Sequence, residues 1–71
     1  MKTTPLVITT SDVGIHFGTI AEVRRERDRR IIHRTDPRPY GFHRAAVCDG
    51  IDWAIAHGYS RIDDGQTGVG A

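Results

Sequence analysis

The chain has 71 residues, 38% apolar and 27% charged, with a net charge of +1. That describes one globular domain near the lower size limit for an unassisted hydrophobic core. So short a chain has little length for a deep cleft and a lid beside a core, which argues against an enzyme, and a charge so near zero argues against a strongly basic nonspecific nucleic-acid binder.

The amino terminus, Met1-Lys2-Thr3-Thr4-Pro5, lacks the apolar run of a signal peptide, and no stretch approaches membrane-spanning length. A soluble intracellular protein is expected, and the single cysteine, Cys48, fits a reducing compartment. Leu6-Val7-Ile8-Thr9-Thr10 is short and β-branched and reads as an opening strand, followed by turn residues Ser11-Asp12-Val13-Gly14. The next segment alternates. Ile15, Phe17, Thr19, Ala21 and Val23 share one face, and His16, Gly18, Ile20, Glu22 and Arg24 the other, as in a half-buried strand.

Two readings then compete. Thr19-Ile20-Ala21-Glu22 is a formal capping box, and a helix over 20–34 has Glu-to-Arg spacings of three and four. Its apolar stripe of Ile20, Val23 and Ile31 would contain Arg24 and Arg27, however. The strand register avoids that conflict, so a hairpin is favoured, with Glu26-Arg27-Asp28 near its tip and residues 30–35 returning; the residues alone leave the helix open.

Asp36-Pro37-Arg38-Pro39-Tyr40-Gly41 is a connection, since two prolines remove donors and extend their predecessors. From Phe42 to His57 the pattern turns helical. Val47, Ile51, Ala54 and Ile55, with Cys48 beside them, form the expected core stripe, and Gly58 stands where a C-terminal glycine cap belongs. Cys48 is accordingly expected as a small buried hydrophobe. Gly50 costs about 1 kcal/mol relative to alanine within a helix, which implies close approach of its backbone to the sheet or a partner. Residues 59–63 read as a last strand, and 65–71 as a flexible tail. The expected fold is α+β in the order βββαβ: a small antiparallel sheet of three to four strands with one helix on one face, forming a single domain over 1–64.

Charge is concentrated at the centre. Six of the ten basic residues, Arg24, Arg25, Arg27, Arg29, Arg30 and Arg34, lie between 24 and 34, with only Glu26 and Asp28 against them. Arginine's planar fork makes paired hydrogen bonds to carboxylates and phosphates, so the cluster is a candidate contact. The plain alternative is ordinary solvated charge, partly neutralised by the two acids. No aromatic residue lies between 18 and 39 to stack on bases. His16, His33, His43 and His57 have no metal-ligand spacing, and Asp49, Asp52, Asp63 and Asp64 read as solvated carboxylates. Gly65-Gln66-Thr67-Gly68 lacks the lysine and following helix of a phosphate loop. Trp53 projects about 200° around the helix from Ile51. It is either a cover for the sheet edge or, with Tyr40 and the arginines, an anchor for a protein partner.

In layout, residues 6–64 resemble the small phage-borne anti-CRISPR proteins: Glu22-Val23 through Glu26-Arg27-Asp28 as a charged hairpin, then Asp36-Pro37, a helix through Trp53 to Gly58-Tyr59, and a last strand. The resemblance is one of order and length, with no diagnostic motif. It implies a stoichiometric inhibitor, acting in the cytoplasm of a bacterial host, that binds a subunit of a bacterial CRISPR surveillance complex, of type I by preference, and blocks target DNA or nuclease recruitment. The basic cluster departs from acidic members that mimic DNA, so an acidic protein surface is the implied target. The expected partner-binding residues are Arg24, Arg25, Arg27, Arg29, Arg30, Arg34 and Trp53, with no catalytic residue, cofactor or metal. The alternatives are a small nucleic-acid-binding or regulatory protein using the same arginines on phosphates, and a homodimer or structural subunit.

Overall fold

A computed structural model describes residues 3–64. It contains strands β1 (Leu6–Gly14), β2 (Gly18–Arg25) and β3 (Ile31–Arg34), helix α1 (His43–Ala56) and strand β4 (Ile62–Asp64). The expected α+β order βββαβ is found, and residues 20–34 form a hairpin rather than a helix. The tail expected over 65–71 lies outside the described residues, as do Met1 and Lys2.

The sheet runs β3-β2-β1-β4. Its first three strands are antiparallel, but β4 joins β1 in parallel, with Leu6 facing Ile62 and Ile8 facing Asp64. The expected wholly antiparallel sheet is thus corrected to a mixed one. The reason is the single helix, which carries the chain back along the sheet so that β4 runs in the direction of β3 and β1. A parallel partner needs a crossover of at least about a dozen residues, and the segment between β3 and β4 supplies it.

β1 extends to Gly14, through residues expected as a turn. The connection to β2 is only Ile15-His16-Phe17, closed by Phe17 N–H donating to the Gly14 carbonyl (2.9 Å). Ile15 and Phe17, expected on the buried face, therefore sit in a loop beyond the helix, about seven-tenths exposed. Thr19, Ala21 and Val23 do face the core and are fully buried. Gly18 has φ +93°, and a Cβ there would fall on the Arg38 carbonyl oxygen, where the 35–38 connection bridges to Thr19.

The core is Leu6 and Ile8 from β1, Ala21 and Val23 from β2, and Ala46, Val47 and Ala54 from α1, with Ile32, Ile51, Trp53, Tyr59 and Ile62 packed around it. The buried helix face is therefore Ala46–Gly50–Ala54, at spacings of four, with Val47 and Ile51 beside it. It is rotated from the expected stripe. Cys48 and Ile55 are exposed, because the small residues let the helix backbone close on the sheet and larger side chains pass to the flanks. Gly50 is the point of closest approach: a Cβ would meet Ile8 Cγ2 at 3.0 Å and Ala21 Cβ at 3.4 Å.

Gly58 ends the helix as expected. It adopts φ +86°, its N–H donates to the Ile55 carbonyl, and Tyr59 N–H reaches back to the Ala54 carbonyl. These two bonds satisfy carbonyls that a helix end otherwise leaves free, in the Schellman arrangement.

Candidate functional site

The arginine cluster is built around the β2–β3 connection, Glu26-Arg27-Asp28-Arg29. Arg29 N–H donates to the Arg25 carbonyl (2.8 Å), Arg25 N–H to the Arg30 carbonyl (3.0 Å), and Glu26 N–H to the Pro5 carbonyl at the entry to β1 (3.0 Å). Asp28 locks the loop from inside. One of its oxygens accepts from Arg30 N–H (3.1 Å) and Arg25 Nε (3.3 Å), and the other from the Arg25 guanidinium (2.6 Å). The Arg30 amide first, and the Arg25 guanidinium second, hold the Asp28 carboxyl below its ordinary range. To close the turn, Arg29 takes the left-handed conformation at φ +61°, which side chains other than glycine and asparagine rarely adopt.

This construction divides the six arginines. Arg24 donates to Thr9 Oγ1, to the Arg29 carbonyl (2.9 Å) and to Glu22 (3.4 Å), so it braces the loop against β1 and β2. Arg34 lies 3.7 Å from the other Glu22 oxygen, across the β2–β3 pair. Arg25 is held by Asp28. Arg27, Arg29 and Arg30 remain: all three are exposed, and none forms an ion pair with a described residue. Of the six arginines expected to bind a partner, three thus stand exposed at or beside a loop tip without an ion pair among the described residues, and three are engaged with Asp28, Glu22, Thr9 and the loop backbone.

Trp53 does not stand free either. Its ring stacks on His33 of β3 (centroids 4.4 Å apart, 7° from parallel) and on His57 (4.2 Å, 23°), with Tyr59 at 6.1 Å. The His57 Nδ1 donates to the Trp53 carbonyl at 2.8 Å, which fixes the second ring. The side chain is half-buried and caps the flank between β3 and α1, so sheet cover describes it better than a projecting anchor. Beside it a shallow cavity of about 480 Å³ opens over His33, Asp36, Arg38 and Asp49. Arg38 and Asp49 form a bidentate pair there, at 2.7 and 2.8 Å. That hydrogen bonding raises the Arg38 pKa and lowers that of Asp49.

Sequence reading missed a second polar cluster, at the other end of the sheet. His43 at the start of α1 lies between Thr10 and Asp12 of β1, with Nδ1 2.7 Å from Thr10 Oγ1 and Nε2 3.3 Å from Asp12 Oδ1. No spacing announces it, since the partners are more than thirty positions apart. Only the closure of α1 onto β1 through Gly50 brings them together.

Among the described residues no helix is long and apolar enough to cross a membrane, and no three histidine, cysteine or carboxylate side chains gather to hold a metal ion. Comparison with protein-family models, with curated proteins and with solved structures finds no match.

Proposed function

We propose that the protein is a binding module that grips an acidic surface of a protein partner with the tip of its β2–β3 loop. One observation carries this reading: Arg27, Arg29 and Arg30 project from a loop locked by Asp28 and Arg24, and have no ion pair among the described residues. A rigid loop loses little conformational freedom on binding, so three forks presented this way can pair with carboxylates at low entropic cost. Protein is favoured over nucleic acid because no aromatic side chain stands at the tip to stack on bases, and Trp53 is occupied by two histidines. The layout resemblance supplies the most specific form of the reading, a stoichiometric inhibitor docked on a subunit of a CRISPR surveillance complex.

The test is an affinity pull-down of tagged protein from bacterial lysate, with and without nuclease, read by mass spectrometry beside the Arg27→Glu/Arg29→Glu/Arg30→Glu variant. A partner that survives nuclease and is lost in the variant supports the reading; CRISPR effector subunits among the captured proteins support its specific form. Capture that disappears with nuclease assigns the loop to nucleic acid. In that case affinity for duplex DNA should fall with salt at a log–log slope of about −0.9 per phosphate contact. Equal capture by variant and wild type removes the loop from the interface.

A further inference from the structure

Strand β1 is nine residues long, but β4 covers its outer side only from Leu6 to Ile8. The stretch from Thr9 to Val13 has no strand on that side among the described residues, and Ser11, Asp12 and Val13 are exposed. Which backbone groups stand open follows from β4. Leu6 N–H donates to the Arg61 carbonyl (2.8 Å), so the even residues of β1 turn their amides and carbonyls outward and the odd ones turn theirs toward β2. Thr10 and Asp12 therefore each present an outward N–H and C=O. Their side chains meet His43 of α1, and those of Thr9 and Ser11 lie on the other face. An edge of this kind is a template for another strand.

The slot is self-complementary in one antiparallel register. A two-fold axis sets outward-facing residues opposite one another. Centred on Thr10, it would bring Asp12 of a second copy onto Ile8, whose outer side β4 already holds. Centred on Asp12, it would face two carboxylates. Centred on Ser11, it pairs Thr10 of each copy with Asp12 of the other, each pair exchanging two main-chain hydrogen bonds. Hydroxyl then lies beside carboxylate on the helix face, and Thr9 faces Val13 on the other. The ladder is confined to Thr9–Val13, because β1 bulges between Asp12 and Gly14 and β4 stops opposite Ile8. Antiparallel pairing also carries the β1–β2 turn of each copy, with exposed Ile15 and Phe17, toward the β4 end of the other. There a cleft of about 260 Å³ opens between α1 and Asp64, walled by Val47 and Ile51. An apolar tip meets an apolar cleft twice, as an isologous interface requires.

We propose that two copies of the chain associate through this edge, β1 against β1 about Ser11, joining two four-stranded sheets into one. The interface has a consequence for the arginine loop, which rests on the function proposed above. Arg25 pairs with Leu6, so the β2–β3 loop lies at the Leu6 end of β1, away from Ser11. The two-fold axis sets the two loops at opposite ends of the joined sheet. The dimer is then bivalent: it holds two acidic surfaces, and where both belong to one assembly the second contact forms at a raised effective concentration.

The experiment is light scattering after size exclusion, run on the whole protein over a range of concentrations. The mass should rise to twice the 7.9 kDa of the chain. Ser11→Lys puts two like charges face to face and should raise the dissociation constant about fivefold or more. Native Trp53 emission should be kept, since Ser11 is exposed. Register is read by oxidation in a Cys48→Ser background. Ser11→Cys sets two thiols across a non-hydrogen-bonded pair, with Cα atoms about 4.5 Å apart, and should form a disulfide dimer. Thr9→Cys sets them about 14 Å apart along the strands and should not. The Arg27→Glu/Arg29→Glu/Arg30→Glu variant should dimerise as wild type does, so a failed loop contact and a failed edge contact are told apart. The proposal is overturned if wild type keeps the mass of one chain at every concentration, or if Ser11→Lys dimerises as wild type does. Equal cross-linking of Thr9→Cys and Ser11→Cys overturns it too. So does hydrogen-exchange protection of the Thr10 and Asp12 amides that is independent of concentration, since the edge is then covered within a single chain.

Discussion

The ring of Trp53 lies within 7° of parallel to the ring of His33, 4.4 Å away, and so couples the last turn of the sole described helix to the short edge strand β3. Stacking of this kind contributes about 1 kcal/mol beyond area burial. Replacing His33 by alanine should lower stability by about that amount, and Trp53→Ala by about 3 kcal/mol, toward the low end for an aromatic because the ring is only half-buried. Trp53 is the only tryptophan, so its emission should report urea unfolding of the His33 variant directly. An unchanged midpoint in His33→Ala would show that the stack contributes nothing to stability.

Arg29 is where the loop's structure and its proposed contact compete. A non-glycine residue in the left-handed region costs on the order of 1 kcal/mol. Arg29→Gly should therefore raise stability by about 1 kcal/mol while weakening capture of the partner. Denaturation and pull-down on the same variant give the two readings. Higher stability with undiminished capture would leave Arg27 and Arg30 as the contact.

Gly50 sets two effects against each other. Alanine is better in a helix by about 1 kcal/mol. Its methyl group, however, would press on Ile8 Cγ2 at 3.0 Å and on Ala21 Cβ at 3.4 Å, and both residues are fully buried. Overpacking of a tight core costs about 1–3 kcal/mol, so Gly50→Ala should be net destabilising, by about 1 kcal/mol. The same shift should perturb the Thr10–His43 contact, which depends on how closely α1 lies over β1. Urea denaturation checks the first effect, and the His43 imidazole resonances checked by NMR show the second.

Stability should fall in acid through two named carboxylates. Asp49 is held below its ordinary pKa by hydrogen bonding from Arg38, and Asp28 by the Arg30 amide and the Arg25 guanidinium. Near pH 4 the unfolded chain binds more protons at these groups than the folded one, so stability rises with pH through that window. Their contribution is present above the ordinary carboxylate range and is lost as pH falls through the lowered folded values. Both pairs are exposed, so the effect should be small and should shrink in salt. In thermal unfolding from about pH 6 down to about pH 2.5, Asp49→Asn should lie below wild type at the upper end and converge with it at the lower. Parallel curves would show that the Arg38 pair adds nothing.

What could be read from the residues followed local rules. The face of Thr19, Ala21 and Val23, the proline connection, the helix and its glycine stop each depend on neighbours within a few positions, and each is found in the structure. Ile15 and Phe17 continued the alternation on paper, but alternation does not say where a strand stops, and β2 begins only at Gly18. The core stripe was right in Val47, Ile51 and Ala54, but it took in Ile55 and Cys48 and missed Ala46 and Gly50, because large apolar residues were ranked above small ones. The actual stripe of Ala46, Gly50 and Ala54 was chosen by how near the helix can come to Ile8 and Ala21. For the arginines, the cluster was legible but its division was not. Which cations are spent on Asp28 and Glu22 depends on loop geometry and strand register. The Thr10–His43–Asp12 contact was beyond reach for a different reason: it joins elements that meet only in the folded sheet.

The parallel pairing of β4 with β1 also governs when the protein can finish folding. The antiparallel trio β1–β3 uses near-neighbour hairpins and can assemble as the chain emerges from the ribosome. The contact of Leu6 with Ile62 spans almost the whole described chain, so the first strand made must wait for the last before its outer edge is covered. Until then β1 carries a row of unpaired amides and carbonyls beside Leu6 and Ile8, open to any passing strand. Nascent chains stalled just short of Ile62 should be the form most readily captured by chaperones.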